Sequence, residues 1–78
     1  MREYRIIEIA TAHTTLYAIE RKVLGLFWMQ VNRDNDIVII DRVSFGIYDD
    51  KEIAEENMAS FRDEDEYEHA IRNNRRVT

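Results

Sequence analysis

Within the 78 residues, the side chains able to do covalent or proton-transfer chemistry are few and scattered. There is no cysteine, which removes thiolate nucleophiles, disulfides and cysteine-based zinc sites. Ser44 and Ser60 stand outside any G-x-S-x-G context. His13 and His69 are far apart, one in an expected loop and one on an expected helix, and both read as ordinary exposed histidines. Asp34 and Asp36 have the opening spacing of a calcium loop in "DNDIVIIDRVSF". The sixth position is then Ile39 instead of glycine and the twelfth is Phe45 instead of glutamate, so the loop is rejected. Gly25 and Gly46 are isolated and form no phosphate loop. Carboxylates are plentiful, but paired-acid hydrolysis needs a cleft and one raised pKa, and a domain this small has little room for one. The expectation is no enzyme, no metal and no cofactor.

Binding chemistry remains. Residues 1–48 hold six acidic and six basic side chains; residues 49–68 hold ten acidic against two basic; residues 69–78 add three arginines. General nucleic-acid binding needs a basic surface, so this distribution argues against it. The acidic stretch has two readings. It is a solvated helix face, as the i,i+4 pairs Lys51–Glu55 and Glu68–Arg72 suggest. Or Glu55, Glu56, Asp63, Glu64, Asp65 and Glu66 form a carboxylate array that imitates a nucleic-acid backbone and steers onto a basic partner. The aromatic set is Phe27, Trp28, Phe45, Tyr48 and Phe61. Phe27 is expected inside. Trp28 alternates away from it and is the candidate anchor for a partner or a second subunit. With Arg21, Lys22, Arg33 and Arg42 in the same region, a sheet surface that stacks bases is the alternative.

The elements that must hold these residues follow from periodicity. "EYRIIEIAT" alternates as a strand, with Tyr4, Ile6 and Glu8 on one face and Arg5, Ile7 and Ile9 on the other. "LYAIERKV" is a second strand, placing Tyr17, Ile19, Arg21 and Val23 together against Leu16, Ala18, Glu20 and Lys22. In "YAIERKVLGLFWMQV" Gly25 either bends one strand or turns the chain into another. "NRDND" is a turn. "IVIIDRVSF" is the most apolar strand, expected to be covered on both faces. Asp49 and Glu52 have capping-box spacing, Tyr48 and Ile53 that of a hydrophobic staple. Ile53, Ala54, Met58 and Phe61 form one helical stripe. Asp63 and Glu66 repeat the start signal, and Tyr67, Ala70 and Ile71 form a second stripe rotated from the first, so a break is expected near Arg62–Asp63.

This gives one α+β domain over 1–78: a small antiparallel β-meander of three to four strands over about 3–46, and one or two C-terminal helices, 49–62 and 63–73, packed on one face, with a frayed tail at 74–78. No segment approaches the roughly 18 apolar residues of a membrane span. The N-terminal "MREYRIIEIATAH" carries acids within its short apolar part and does not read as a signal peptide. A cytoplasmic setting is expected.

"YAIERKVLGLFWMQV" followed by "FGIYDDKEIAEENM" resembles a pattern in small accessory proteins of tailed bacteriophages, in which a Y-x-I-x-x-K strand leads to L-G-x-F/W-W and then to an acidic D-x-x-E-A helix. The matching residues are Tyr17, Ile19, Lys22, Leu24, Gly25, Phe27 and Trp28, then Asp50, Ile53, Ala54 and Glu55. The resemblance covers about 15–60; the acidic segment 63–72 departs from it. It implies a protein of the infected bacterial cytoplasm that binds and redirects or inhibits a host protein, and it supplies no catalytic residues. The function expected is a non-enzymatic modulator. It occludes a host defence or nucleic-acid-processing protein with its acidic helical face and uses Trp28 as an apolar anchor. A homodimer through the sheet is expected, because a small sheet leaves unpaired edges. The other readings are the base-stacking sheet and a structural or assembly component.

Overall fold

The computed structural model describes residues 2–38 and 46–75, with side chains through Ile71. Among the described residues, four strands, β1 Tyr4–Ala10, β2 Thr15–Val23, β3 Phe27–Val31 and β4 Ile47–Tyr48, form one antiparallel sheet that precedes a single helix, α1 Lys51–Arg75. No described helix is long and apolar enough to cross a membrane.

β2 is the central strand. β1 lies along one edge, from Tyr4 opposite Arg21 to Ala10 opposite Thr15. The other edge is shared by two segments. β3 pairs with residues 19–23, ending with Val31 opposite Ile19. β4 then takes over, with Ile47 opposite Ala18 and Tyr48 opposite Tyr17. The chain therefore leaves the edge after Val31 and re-enters the same line at Ile47. Gly46 makes this re-entry possible. A Cβ there would lie 2.4 Å from the Val31 carbonyl oxygen, and its φ of 93° is one that side chains disfavour. In the excursion, Asn32 Oδ1 accepts the Asp34 and Asp36 amides, both at 2.9 Å, as an Asx turn does. Ile37 then bridges to Val31, and the Val38 amide donates to the Gln30 carbonyl. The strand expected over 37–45 is described only to Val38; the rest, with Arg42, Ser44 and Phe45, lies outside the described residues.

Gly25 turns the chain rather than bending one strand. Leu24 and Gly25 have φ of 56° and 66°, the positive-φ pattern that suits a hairpin's twist, and the Leu26 amide closes the turn on the Val23 carbonyl at 3.0 Å.

The expected alternation places Tyr4, Ile19, Val31 and Tyr48 on one face, where they form the buried core with Ala54 and Phe61 of α1. Four expectations need correction. First, α1 is one continuous helix, with no break at Arg62–Asp63. An internal start signal stops a helix only where tertiary contacts draw the chain aside, and a straight helix keeps every backbone hydrogen bond. Its extent to Arg75 replaces the frayed segment expected from 74; residues 76–78 lie outside the described ones. Second, the cap is Asp50, whose Oδ1 accepts the Glu52 amide at 2.9 Å. Strand pairing holds Tyr48 on Tyr17, so the helix begins one residue later than Asp49 would set it. Third, Ile53 is about half exposed, and the sheet-facing line is Ala54, Met58, Phe61 and Asp65. Fourth, Phe27 is 47% exposed, because α1 crosses β1, β2 and β4 and leaves the far end of β3 uncovered.

Two backbone substitutions separate these constraints in a thermal or urea melt. Gly46→Ala is expected to cost roughly 2 kcal/mol or more, since Val31 and Asn32 backbone atoms must move. Leu24→Asn relaxes a left-handed residue in open solvent and is expected to stabilise by up to about 1 kcal/mol. An unchanged melting temperature for Gly46→Ala would refute the proposed close approach.

Candidate partner-binding surface

The expected site residues separate on folding. Glu55, Glu56, Asp63, Glu64 and Glu66 are exposed on α1. At 100° per residue, Glu55, Glu56, Asp63 and Glu66, together with Glu52, fall within an arc of roughly 100° turned away from the sheet-facing line. They make one carboxylate ridge along the outside of a straight helix. Glu64 is set to the flank.

Asp65 is different. It lies on the sheet-facing line, accepts the Tyr4 hydroxyl at 2.6 Å on Oδ2, and takes Arg2 Nη1 at 3.4 Å on Oδ1. Tyr4 in turn accepts Asn35 Nδ2 at 2.9 Å. Arg21 Nη1 donates to the Asn35 carbonyl at 2.8 Å and to its Oδ1 at 3.1 Å. This chain of polar contacts ties the 32–36 turn, β2, the start of β1 and the middle of α1 into one unit. An open cleft of about 240 Å³ runs beside it, between Asp34 and Asp36 of the turn and Glu64 and Glu68 of the helix. Arg2 and Arg21 are the cations along its lining. The sequence shows that Asp65 is acidic and that Asn35 suits a turn; only the tertiary contact shows that one clips the other through a phenol. Tyr4 and Tyr48 both have phenol pKa values pushed up, chiefly by burial. At Tyr4 the hydrogen bond to Asp65 adds to the shift; at Tyr48 the Arg33 guanidinium, 5.2 Å from the ring centroid, opposes it.

Trp28 lies on the opposite face of the sheet from α1, so it and the carboxylate ridge do not form one surface. It is half-buried. The Arg5 guanidinium carbon sits 4.3 Å from its ring centroid and Lys22 Nζ 5.8 Å from it, within cation–π range. Both cations are also engaged by acids: Arg5 Nε and Nη2 each lie 2.7 Å from Glu20 Oε1, and Lys22 Nζ lies 3.3 Å from Glu3 Oε2. Glu20 is buried here because it has that partner. Among the described residues, no group of three or more His, Asp or Glu is arranged to hold a metal ion.

Tyr4→Phe removes the donor and leaves the Asp65 carboxylate facing an apolar edge. The expected cost is roughly 1–3 kcal/mol in a denaturant titration. The pH dependence has a definite sign. A phenol whose folded pKa is raised contributes stability that is complete below the ordinary value of 10 and is lost as pH rises from there through the folded value. Wild-type stability is expected to fall above pH 10, and Tyr4→Phe to show a shallower fall; identical alkaline slopes would contradict the clip.

No known protein family, curated protein or solved structure matches this chain.

Proposed function

We propose that this chain is a non-enzymatic protein-binding modulator that covers a basic surface on another protein with the outer ridge of α1. The observation that carries the reading is the ridge itself: Glu52, Glu55, Glu56, Asp63 and Glu66 stand exposed on one rigid element with no described cation paired to any of them. A straight helix holds the stems of these charges at set intervals, so a complementary array gains attraction without first ordering the backbone that carries them. Asp65 is outside the contact set, because its oxygens hold Tyr4 and Arg2. The resemblance to tailed-phage accessory proteins suggests the setting, a bacterial cytoplasm in which the partner is a host defence or nucleic-acid-processing protein.

The second reading, a sheet that stacks bases, is favoured by Trp28 with Arg5 and Lys22 on the face away from α1. It ranks lower because Glu20 and Glu3 already engage those two cations, and a phosphate would have to displace them. A structural or assembly component is the remaining reading, and it stands if neither ligand class is retained.

Two measurements separate the readings. Affinity capture from bacterial lysate, read by mass spectrometry, is expected to retain a basic protein that is released by raised salt. A variant with Glu55, Glu56 and Glu66 changed to Gln and Asp63 to Asn, with Asp65 kept, is expected to retain it at least roughly tenfold less. Equal retention by both would end the ridge proposal. Trp28 is the single tryptophan, so fluorescence excited selectively at tryptophan, past the tyrosine band, reports on the far face alone. Single-stranded oligonucleotide is expected to leave it unchanged; salt-sensitive quenching, with binding lost in Trp28→Ala, would favour the stacking sheet.

A further inference from the structure

β1 leaves one edge of the sheet open. Where β1 meets β2, the Lys22 amide donates to the Glu3 carbonyl at 2.9 Å and the Thr11 amide to the Thr14 carbonyl at 2.8 Å. With the one-to-one register from Tyr4–Arg21 to Ala10–Thr15, that phase aims the backbone groups of Arg5, Ile7 and Ile9 at β2. Those of Tyr4, Ile6, Glu8 and Ala10 point outward, away from β2. Among the described residues, Arg62 Nη2 donates to the Tyr4 carbonyl at 3.4 Å, and no other group bonds this edge. The opposite edge is already occupied in part: beside β3, the Val38 amide donates to the Gln30 carbonyl and Ile37 bridges to Val31.

Open edges are normally guarded by a proline, a lysine, a bulge or a very short strand. β1 is seven residues, YRIIEIA, with no proline, no lysine and no interruption of register. Its charges are Arg5, which Glu20 holds on the far face, and Glu8. Glu8 is exposed and has no ion pair among the described residues. Arg62 is exposed as well, and its one described polar contact is the long bond to the Tyr4 carbonyl.

We infer that β1 pairs antiparallel with β1 of a second copy about a two-fold axis at Ile7, joining the two sheets into one. Backbone phase and charge select this occupant and this register. Centring on Glu8 would set two carboxylates directly opposite each other. Centring on Ile6 would need the Tyr4 carbonyl that Arg62 holds. Centring on Ile7 lets Ile6 of each copy exchange both backbone bonds with Glu8 of the other, using groups that are free. Glu8 of the other copy then faces Ile6 and stands diagonal to Tyr4, roughly 7–8 Å from it. Tyr4, Ile6 and Glu8 share the α1 face, so each Glu8 carboxylate arrives beside the Arg62 that reaches over Tyr4 of the other copy. Two charges without a partner in one chain become each other's partner in the pair, twice over by symmetry. On the far face Ile7 meets Ile7 as a close β-branched pair, and Ile9 lies opposite Arg5. An unrelated extended peptide would gain the backbone bonds but not this reciprocal charge match. The contact is small, so the association is weak. It leaves the outer carboxylate ridge uncovered and does not depend on the function proposed above.

Sedimentation velocity on the full chain, over about 5–500 µM, tests the pairing. The expected result is a concentration-dependent doubling of mass. Glu8→Pro removes an outward amide and no β1–β2 bond, and is expected to move the midpoint at least roughly tenfold upward, with circular dichroism confirming the fold. Glu8→Arg and Arg62→Glu should each weaken the dimer, and the two together should restore it. The register is read by cross-linking, since the chain has no cysteine of its own. Ile7→Cys places two thiols across the axis with Cα atoms roughly 4.5 Å apart and is expected to give a disulfide-linked dimer under mild oxidation. Ile9→Cys separates them by roughly 14 Å, beyond disulfide reach, and is expected to stay unlinked. A single monomer mass across the range overturns the proposal, including the case in which the monomer instead captures another protein's extended segment along β1. So does a dimer unmoved by both Glu8→Pro and Glu8→Arg. Linkage through Ile9→Cys in preference to Ile7→Cys, or failure of the double charge exchange to restore pairing, rejects the register.

Discussion

Everything in this molecule is positioned by the far edge of β2, which two separate segments must share. β3 occupies it as far as Val31 and β4 resumes it at Ile47, and the junction closes only because position 46 has no side chain to meet the Val31 carbonyl. That single close approach decides where Tyr48 lands. Tyr48 against Tyr17 sets the origin of α1, and Asp50 caps the helix from there. Helix direction, the line it buries and the end from which it projects all follow from this re-entry point.

The apolar core is small, and a polar chain extends it. Phe61 packs against Tyr4 with ring centroids 5.9 Å apart, and the same phenol passes a hydrogen bond to Asp65. One side chain thus serves as core and as connector. Tyr suits this because its ring is apolar and its hydroxyl finds a partner when buried. The turn around Asn35 is recruited by the same hydroxyl, so the acidic cleft beside it is bounded by elements that the core itself holds in place.

The two faces of the sheet do different work. One buries aliphatics and aromatics under α1. The other carries Trp28, braced by Arg5 and Lys22, with Glu20 and Glu3 neutralising those cations. Negative charge gathers on the helix, outward along one ridge. Exposed apolar surface gathers at the β2–β3 turn and the end of α1. Along α1 the two are interleaved: Tyr67 shares its helix face with Asp63 and Glu64, and Ile71 with Glu68, because residues that differ by three or four lie on one face.

Composition and alternation by themselves determined the α+β class, the strand faces of β1, β2 and β3, and the acidic character of the C-terminal helix, because period-2 and period-3.6 patterns survive without knowledge of what they pack against. Local signals were less decisive where a nonlocal contact competed with them. The Asp63 start signal reads as a helix break, yet no contact pulls the chain aside there and the helix runs on. Asp49 reads as the cap, but pairing of Tyr48 hands that role to Asp50. Ile53 and Phe27 read as core by residue type, and only the path of α1 leaves them half exposed. The inward role of Asp65 among outward acids, and the exposure of Leu24, Leu26, Phe27, Tyr67 and Ile71, were decided by tertiary structure alone. They depend on which level of β2 the helix reaches, and that is set by a backbone approach at Gly46 that leaves no trace in periodicity.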